Sequence, residues 1–374
     1  MPTQLDPSLH VGELDASLAA GWALPASWYA DPAITALERE RIFAHAWQYV
    51  GRAEAVASPG SYLAGRVGHV PVVVVRGKDG ELRGFKNVCR HRSHLVAEGE
   101  GCRSTLQCPY HAWTYDLDGT LLRAPRSERE PGFDRAGFSL LPVAVAVWGP
   151  LVFANPDPDA EPFTRRLEGI DELVATSGID LPTLRFRQRI TWELPVNWKN
   201  GLENYLECYH CAIAHPGLSK LVDVDPDSYT LIARPRSTSQ VSAVRDGVRE
   251  GRVKAPYVPA ADVSDAQYHF IWPGTTINIE PGRPNLGIDT WIPIAPDRTM
   301  GVTDYYFGPD VTDDEVAELV AFSQQVGAED DALVRNVQAG LESGVVPQGR
   351  LLLDAEPLIA HFQRLVFDAV TSRP

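Results

Sequence analysis

Positive charge is scarce in this 374-residue chain. Its 34 Lys and Arg stand against 49 Asp and Glu, a net charge of −15. Nucleic-acid binders concentrate basic residues, so that class is disfavoured. An acidic surface fits solubility and a basic protein partner. Long hydrophobic runs are also missing. The longest apolar stretch, 139–154, is broken by Pro142, Gly149 and Pro150, and predicts two buried strands rather than a membrane span. The first ten residues place no basic region before an apolar run, so no signal peptide is expected and the predicted location is cytoplasmic. Cysteine is sparse and odd in number: Cys89, Cys102, Cys108, Cys208 and Cys211. Two of these sit in metal-ligand spacing, so a disulfide framework is not expected. No internal repeat or low-complexity segment stands out.

What is present reads as a soluble globular chain of two domains, 44% apolar and 22% charged. Residues 1–27 read as polar and irregular. Asp31–Trp47 has helical periodicity with Pro32 in its first turn, and His45 reads as a packed or surface residue. From about Gly51 to Asn155 short strands alternate with turns. The run V-P-V-V-V-V-R is a buried strand, and Lys78-Asp79-Gly80 and Leu117-Asp118-Gly119 predict tight type I′ hairpins. Pro156, Pro158 and Pro162 mark a boundary. Beyond it, Leu184–Leu194 alternates like a strand and Asn197–Ala214 reads as one helix. Several strand-like runs over 228–308 suggest a broad antiparallel sheet. Thr312-Asp313-Asp314-Glu315 is a capping box opening a helix to about Ser343, with Gly344 as its stop. The tail forms a further amphipathic helix.

Two constellations carry chemistry. The first is Cys89-x-His91 and Cys108-x-x-His111, sixteen residues apart. Two thiolates and two imidazoles on two turns can wrap one compact metal site. Either zinc or a [2Fe–2S] cluster with histidines on one iron satisfies this spacing. His94 and Cys102 lie outside the pairing and read as second-layer or surface and as a small hydrophobe. The second constellation is Glu203, Glu207 and His210, which would share one face of the predicted helix, followed by His215. Pro216 disfavours helical geometry at His215, so the chain can turn there and return the second imidazole. Two histidines and a distant carboxylate make a facial triad suited to Fe(II). The acidic run Glu329-Asp330-Asp331 is the best source of that carboxylate. The CxxC of Cys208 and Cys211 reads as packing. Trp272, Trp291, Tyr305, Tyr306 and Phe307 could line a pocket, although core packing explains most of them.

Taken together, N-V-C-R-H-R-S-H, C-P-Y-H-A-W-T-Y and N-W-K-N-G-L-E-N-Y-L-E-C-Y-H-C-A-I-A-H-P resemble the catalytic α subunit of Rieske non-haem iron oxygenases. This is the aromatic ring-hydroxylating family, with a carnitine and choline monooxygenase-like branch. The resemblance runs from about Ser27 to the C-terminus and selects the cluster over zinc. It implies an α+β fold: an antiparallel-β Rieske domain (47–155) set into a helix-grip catalytic domain (156–374), with an antiparallel sheet covered by helices. Residues 1–46 would pack on the catalytic domain. By resemblance, Cys89, His91, Cys108 and His111 hold the [2Fe–2S] cluster, while His210, His215 and Asp330 hold the mononuclear Fe(II), with Asp331 as the alternative carboxylate. Glu207 matches the acid that links the first iron histidine to a cluster histidine, here His111, of the neighbouring subunit.

The implied activity is that of a terminal oxygenase using O2 and NADH-derived electrons to hydroxylate or demethylate a small organic substrate. The implied partners are a separate NADH-dependent flavin/iron–sulfur reductase and two further copies in a head-to-tail homotrimer. Glu at position 207, where many ring dioxygenases have Asp, and the short chain lean toward a quaternary ammonium substrate. Ring dihydroxylation of an aromatic acid or hydrocarbon is the alternative. From other classes, a Rieske electron carrier without catalytic iron and a zinc-stabilised binding protein are the rivals.

Overall fold

The structure is a computed structural model, which describes residues 11–257 and 262–372. The first ten residues, on which the signal-peptide reading rests, lie outside it. The chain divides into two units, 43–163 and the combination of 1–42 with 164–374.

The 43–163 unit is built on a seven-stranded antiparallel sheet. Its order is Gln48–Arg52, Leu151–Asn155, Pro142–Trp148, Leu82–Lys86, Val70–Arg76, Ser61–Val67, Glu100–Cys102. The strand Val70–Arg76 is apolar throughout because both its faces are covered. Val72 and Val74 enter one core with Val50, Leu63 and Val152, while Val73 and Val75 enter another with Cys89, Cys108 and Tyr115. Both Asp-Gly sites do turn hairpins, but not as type I′ turns. Gly80 (φ 84°) and Gly119 (φ 88°) have positive φ, whereas Asp79 and Asp118 do not. The amides of Gly80 and Gly119 donate to the carbonyls of Gly77 and Asp116, so each loop is a type I turn followed by a left-handed glycine. Asp79 and Asp118 instead accept from the amides of Glu81 and Thr120.

The larger unit carries a second seven-stranded antiparallel sheet. Its order is Arg185–Leu194, Arg298–Phe307, Asn285–Ala295, Thr275–Ile279, Asp265–Ile271, Ser237–Ala243, Thr230–Arg234. Helices accompany it, chiefly Pro32–Arg41, Trp198–Tyr205, Asp313–Ser343 and Pro357–Thr371. Residues 11–27 are more regular than expected, forming the helix Val11–Ala19 and the strand Trp22–Pro25, which pairs with Gln348–Arg350. The helix after Asp31 stops at Arg41, and a short 3₁₀ turn Phe43–His45 follows. Among the described residues, no helix is long and apolar enough to cross a membrane.

The helix Trp198–Tyr205 is held by unusual burial. Asn197 caps it, accepting from the Lys199 amide. Lys199 is fully buried and its Nζ lies 2.5 Å from Glu38 Oε1 on the helix Pro32–Arg41, while Trp198 Nε1 donates to Glu38 Oε2. A buried charge survives only with such a partner. Gly201 lies against the Trp291 ring, so no side chain fits between helix and sheet there.

Candidate metal centres and cavity

In the 43–163 unit, two short loops present the Cys/His pairs in matching geometry. Cys89 N donates to His94 O and Ser93 N to Cys89 O; Cys108 N donates to Trp113 O and Ala112 N to Cys108 O. The residue four after each cysteine has the same left-handed φ, 57° at Ser93 and 56° at Ala112. Both thiols are buried. The His91 and His111 rings stand 4.6 Å apart, and His91 stacks on Trp113. Burial, then the neighbouring Cys89, pushes the Cys108 thiol up, a cost that a metal would offset by holding both sulfurs as thiolates. Burial and the nearby His91 and Arg92 lower His111, keeping it a neutral imidazole as ligation requires. Tyr115 Oη lies 3.3 Å from Cys89 Sγ. The set of two soft and two imidazole donors fits a histidine-ligated [2Fe–2S] cluster. His94 turns to the Leu95 carbonyl and Cys102 is exposed, so neither joins it.

In the larger unit the expected continuous helix 197–214 is broken. It ends at Tyr205, and a short helix Cys211–Ala214 begins after a turn. The reason is Glu207, whose carboxylate takes the amides of Tyr209 and His210 and also the Nδ1 of His210. Glu203 therefore leaves the group. It is half-buried elsewhere, accepting from Tyr29 Oη and Gln363 Nε2. Cys208 and Cys211 form a disulfide across the turn bearing His210, so the reading of them as mere packing is corrected.

His215 ends the short helix in a non-helical conformation, as Pro216 requires. Its Nε2 lies 3.1 Å from His210 Nε2 and 2.9 Å from Asp330 Oδ1, with Asp330 Oδ1 3.4 Å from His210 Nε2. Three ligand atoms from two elements thus converge on one point, with Nδ1 of each imidazole engaged by Glu207 or Glu329 (2.8 Å). Carboxylate–imidazole contacts of this kind fix the ring and leave Nε2 free for a metal. Burial opposes protonation of His210, but Asp330 and Glu207 outweigh it and hold its pKa at about 9. His215 is raised similarly, and Asp330 is lowered because the two histidines outweigh its burial. The site is thus built to hold positive charge, and its N,N,O donor set suits ferrous iron. Asp331 points instead toward Arg335.

The Glu329 contact escaped sequence reasoning, since nothing local marks which acid of the run reaches across 114 residues to His215. Beside the site lies a cavity of about 530 Å³. Of the five aromatics considered from sequence, only Trp291 and Tyr305 line it. Trp272, Tyr306 and Phe307 are core. Tyr205, Tyr229, Tyr268, Glu280 and Asp289 line it without having been anticipated.

Residues 181–372 match the ring hydroxylating alpha subunit (catalytic domain) family, and residues 46–144 the Rieske [2Fe-2S] domain. The carnitine monooxygenase oxygenase subunit of Escherichia coli (strain K12) is 34% identical, covering 92% of this chain and 93% of its own length. The chloroplastic choline monooxygenase of Arabidopsis thaliana is 32% identical, over 91% of this chain and 81% of its own. Among solved structures, the quaternary ammonium Rieske monooxygenase CntA with substrate gamma-butyrobetaine superposes with a TM-score of 0.79 at 30% identity, covering 94% of this chain and 96% of that one. A further structure of a quaternary ammonium Rieske monooxygenase, one that gave insights into carnitine oxidation and inter-subunit electron transfer, gives 0.81 at 31% with the same coverage. The two donor sets and these relatives lead to one conclusion: the chain belongs to the Rieske non-haem iron oxygenases, as an oxygenase α subunit that works with a [2Fe–2S] cluster and a mononuclear iron.

Proposed function

We propose that Cys89, His91, Cys108 and His111 hold the cluster, that His210, His215 and Asp330 hold the iron, and that the substrate is a quaternary ammonium compound. The observation that carries this is the convergence of His210 Nε2, His215 Nε2 and Asp330 Oδ1 within 3.4 Å beside an aromatic and acidic cavity. When bound, the two metal groups supply electron delivery and O2 activation. Glu207 keeps the Nδ1 proton of His210 on the side away from the metal, and Glu329 does the same for His215. Tyr229, Tyr268 and Trp291 line the cavity, where aromatic rings would hold an ammonium group while the substrate is hydroxylated or demethylated. The carnitine, choline and CntA relatives support that substrate class.

Family membership implies a reductase partner and an oligomer. The finer reading is an NADH-dependent flavin/iron–sulfur reductase and a head-to-tail homotrimer. In such a ring Glu207 of one chain would lie between its own His210 and His111 of the next, and heterologous contacts close on themselves. The test is O2 uptake by the iron-loaded protein with a generic reductase, across quaternary ammonium compounds and aromatic acids. The proposal expects product-coupled uptake with the former. Uptake with aromatic acids alone would overturn the substrate assignment.

A further inference from the structure

Among the described residues lining the cavity, six are carboxylic acids: Glu193, Glu207, Glu280, Asp289, Asp330 and Asp331. None is Lys or Arg. Four of the acids already have cationic or imidazole neighbours. Glu207 and Asp330 face the histidines, Glu193 lies 3.4 Å from Arg298, and Asp331 lies 3.4 Å from Arg335. Among the described residues, Glu280 and Asp289 have only neutral donors. Asp289 accepts from Thr276 Oγ1 and Asn278 Nδ2 at 2.9 Å and from Thr303 Oγ1 at 2.5 Å. Glu280 is 7% exposed, and among the described residues its carboxylate accepts from Tyr268 Oη, at 3.2 Å. Burial pushes Glu280 up to about 7. Its charge adds to burial in holding the hydroxyls of Tyr229, Tyr257 and Tyr268 above their usual range.

A carboxylate that faces a cavity without a cation is costly to keep ionised, and a bound ammonium group relieves that cost. A zwitterion fares differently. Its own carboxylate finds no Lys or Arg among the described lining residues and is repelled by Glu280 and Asp289. We infer that Glu280, backed by Asp289, is a specificity determinant that selects organic cations carrying no carboxylate of their own, such as ammonium alcohols, over betaines. This inference rests on the quaternary ammonium reading and narrows it.

The probes are γ-butyrobetaine and its alcohol counterpart, (4-hydroxybutyl)trimethylammonium, which share a chain and a trimethylammonium head and differ in the far end. Binding to the iron-loaded full chain is measured by titration calorimetry. The alcohol is expected to bind at least about ten-fold more tightly. Glu280→Gln is expected to weaken the alcohol about ten-fold and γ-butyrobetaine less, shrinking the preference. Iron content and melting temperature report whether that variant is intact; if it is not, Asp289→Asn carries the same comparison. Equal or tighter binding of γ-butyrobetaine overturns the selection and leaves the quaternary ammonium reading standing. An unchanged preference in the intact variant overturns the role of Glu280. Binding of neither probe, with O2 uptake only on aromatic acids, overturns both readings.

Discussion

Glu207 does two jobs with one carboxylate: it caps the turn that carries His210 and it engages that histidine's Nδ1. Gln in its place keeps only one accepting oxygen and carries no charge, so Glu207→Gln should keep both metals while slowing multiple turnover strongly, on the order of 100-fold. Metal analysis and stopped-flow reduction check this, and normal turnover would remove the bridging role. Asp330 and Asp331 are neighbours with different surroundings. Asp330→Asn should cost the mononuclear iron, whereas Asp331→Asn should retain it, because Asp331 faces Arg335 and not the histidines. Glu280 bears on stability as well. Its folded pKa, about 7, lies above the ordinary 4.5, so it favours folding below pH about 4.5, and that contribution is lost as pH rises through about 7. Glu280→Gln should therefore be more stable than the parent at pH 8, by on the order of 1–3 kcal/mol, and not at pH 4.5. Thermal melts of the ligand-free proteins at both pH values decide it.

At the scale of elements, the pair Glu38–Lys199 ties the helix Pro32–Arg41 to the helix Trp198–Tyr205 inside the core. Glu38→Ala strands a buried ammonium and the Trp198 indole N–H, and should cost about 3–5 kcal/mol in denaturant unfolding. Elements whose ends are written locally were legible in the sequence. Thr312 and Glu315 form the expected reciprocal cap of Asp313–Ser343, and Gly344 ends it in a left-handed conformation. The run Val70–Arg76 was legible as a buried strand because its valines serve two cores. The break after Tyr205 was not legible, because helical spacing over 197–214 continues through it and only the folded carboxylate of Glu207 diverts the amides. For the same reason Glu203, in step with the motif, was grouped with a site it does not join. The four cysteine and histidine positions of the first constellation were visible as a motif, as were His210 and His215. Glu280 and Asp289 were not, since their meaning lies in the lack of a cation among the described residues lining the cavity, which only the assembled sheet reveals.

For the whole molecule, membership of this family joins a domain that receives electrons to one that spends them on O2. If each cluster serves the neighbouring chain's iron, two inactive variants should complement. Cys108→Ser removes a proposed cluster ligand and His210→Ala a proposed iron ligand; co-assembled, they should regain part of the activity that neither shows alone. Transfer confined to one chain predicts none. The most direct measurement of the central assignment is metal content with the cluster's EPR signal, in the parent and in His210→Ala. The parent should hold about three irons and two sulfides per chain, and the variant about two irons, with an unchanged cluster signal and no O2-dependent product. A variant that keeps its third iron, or still oxidises substrate, would contradict that assignment.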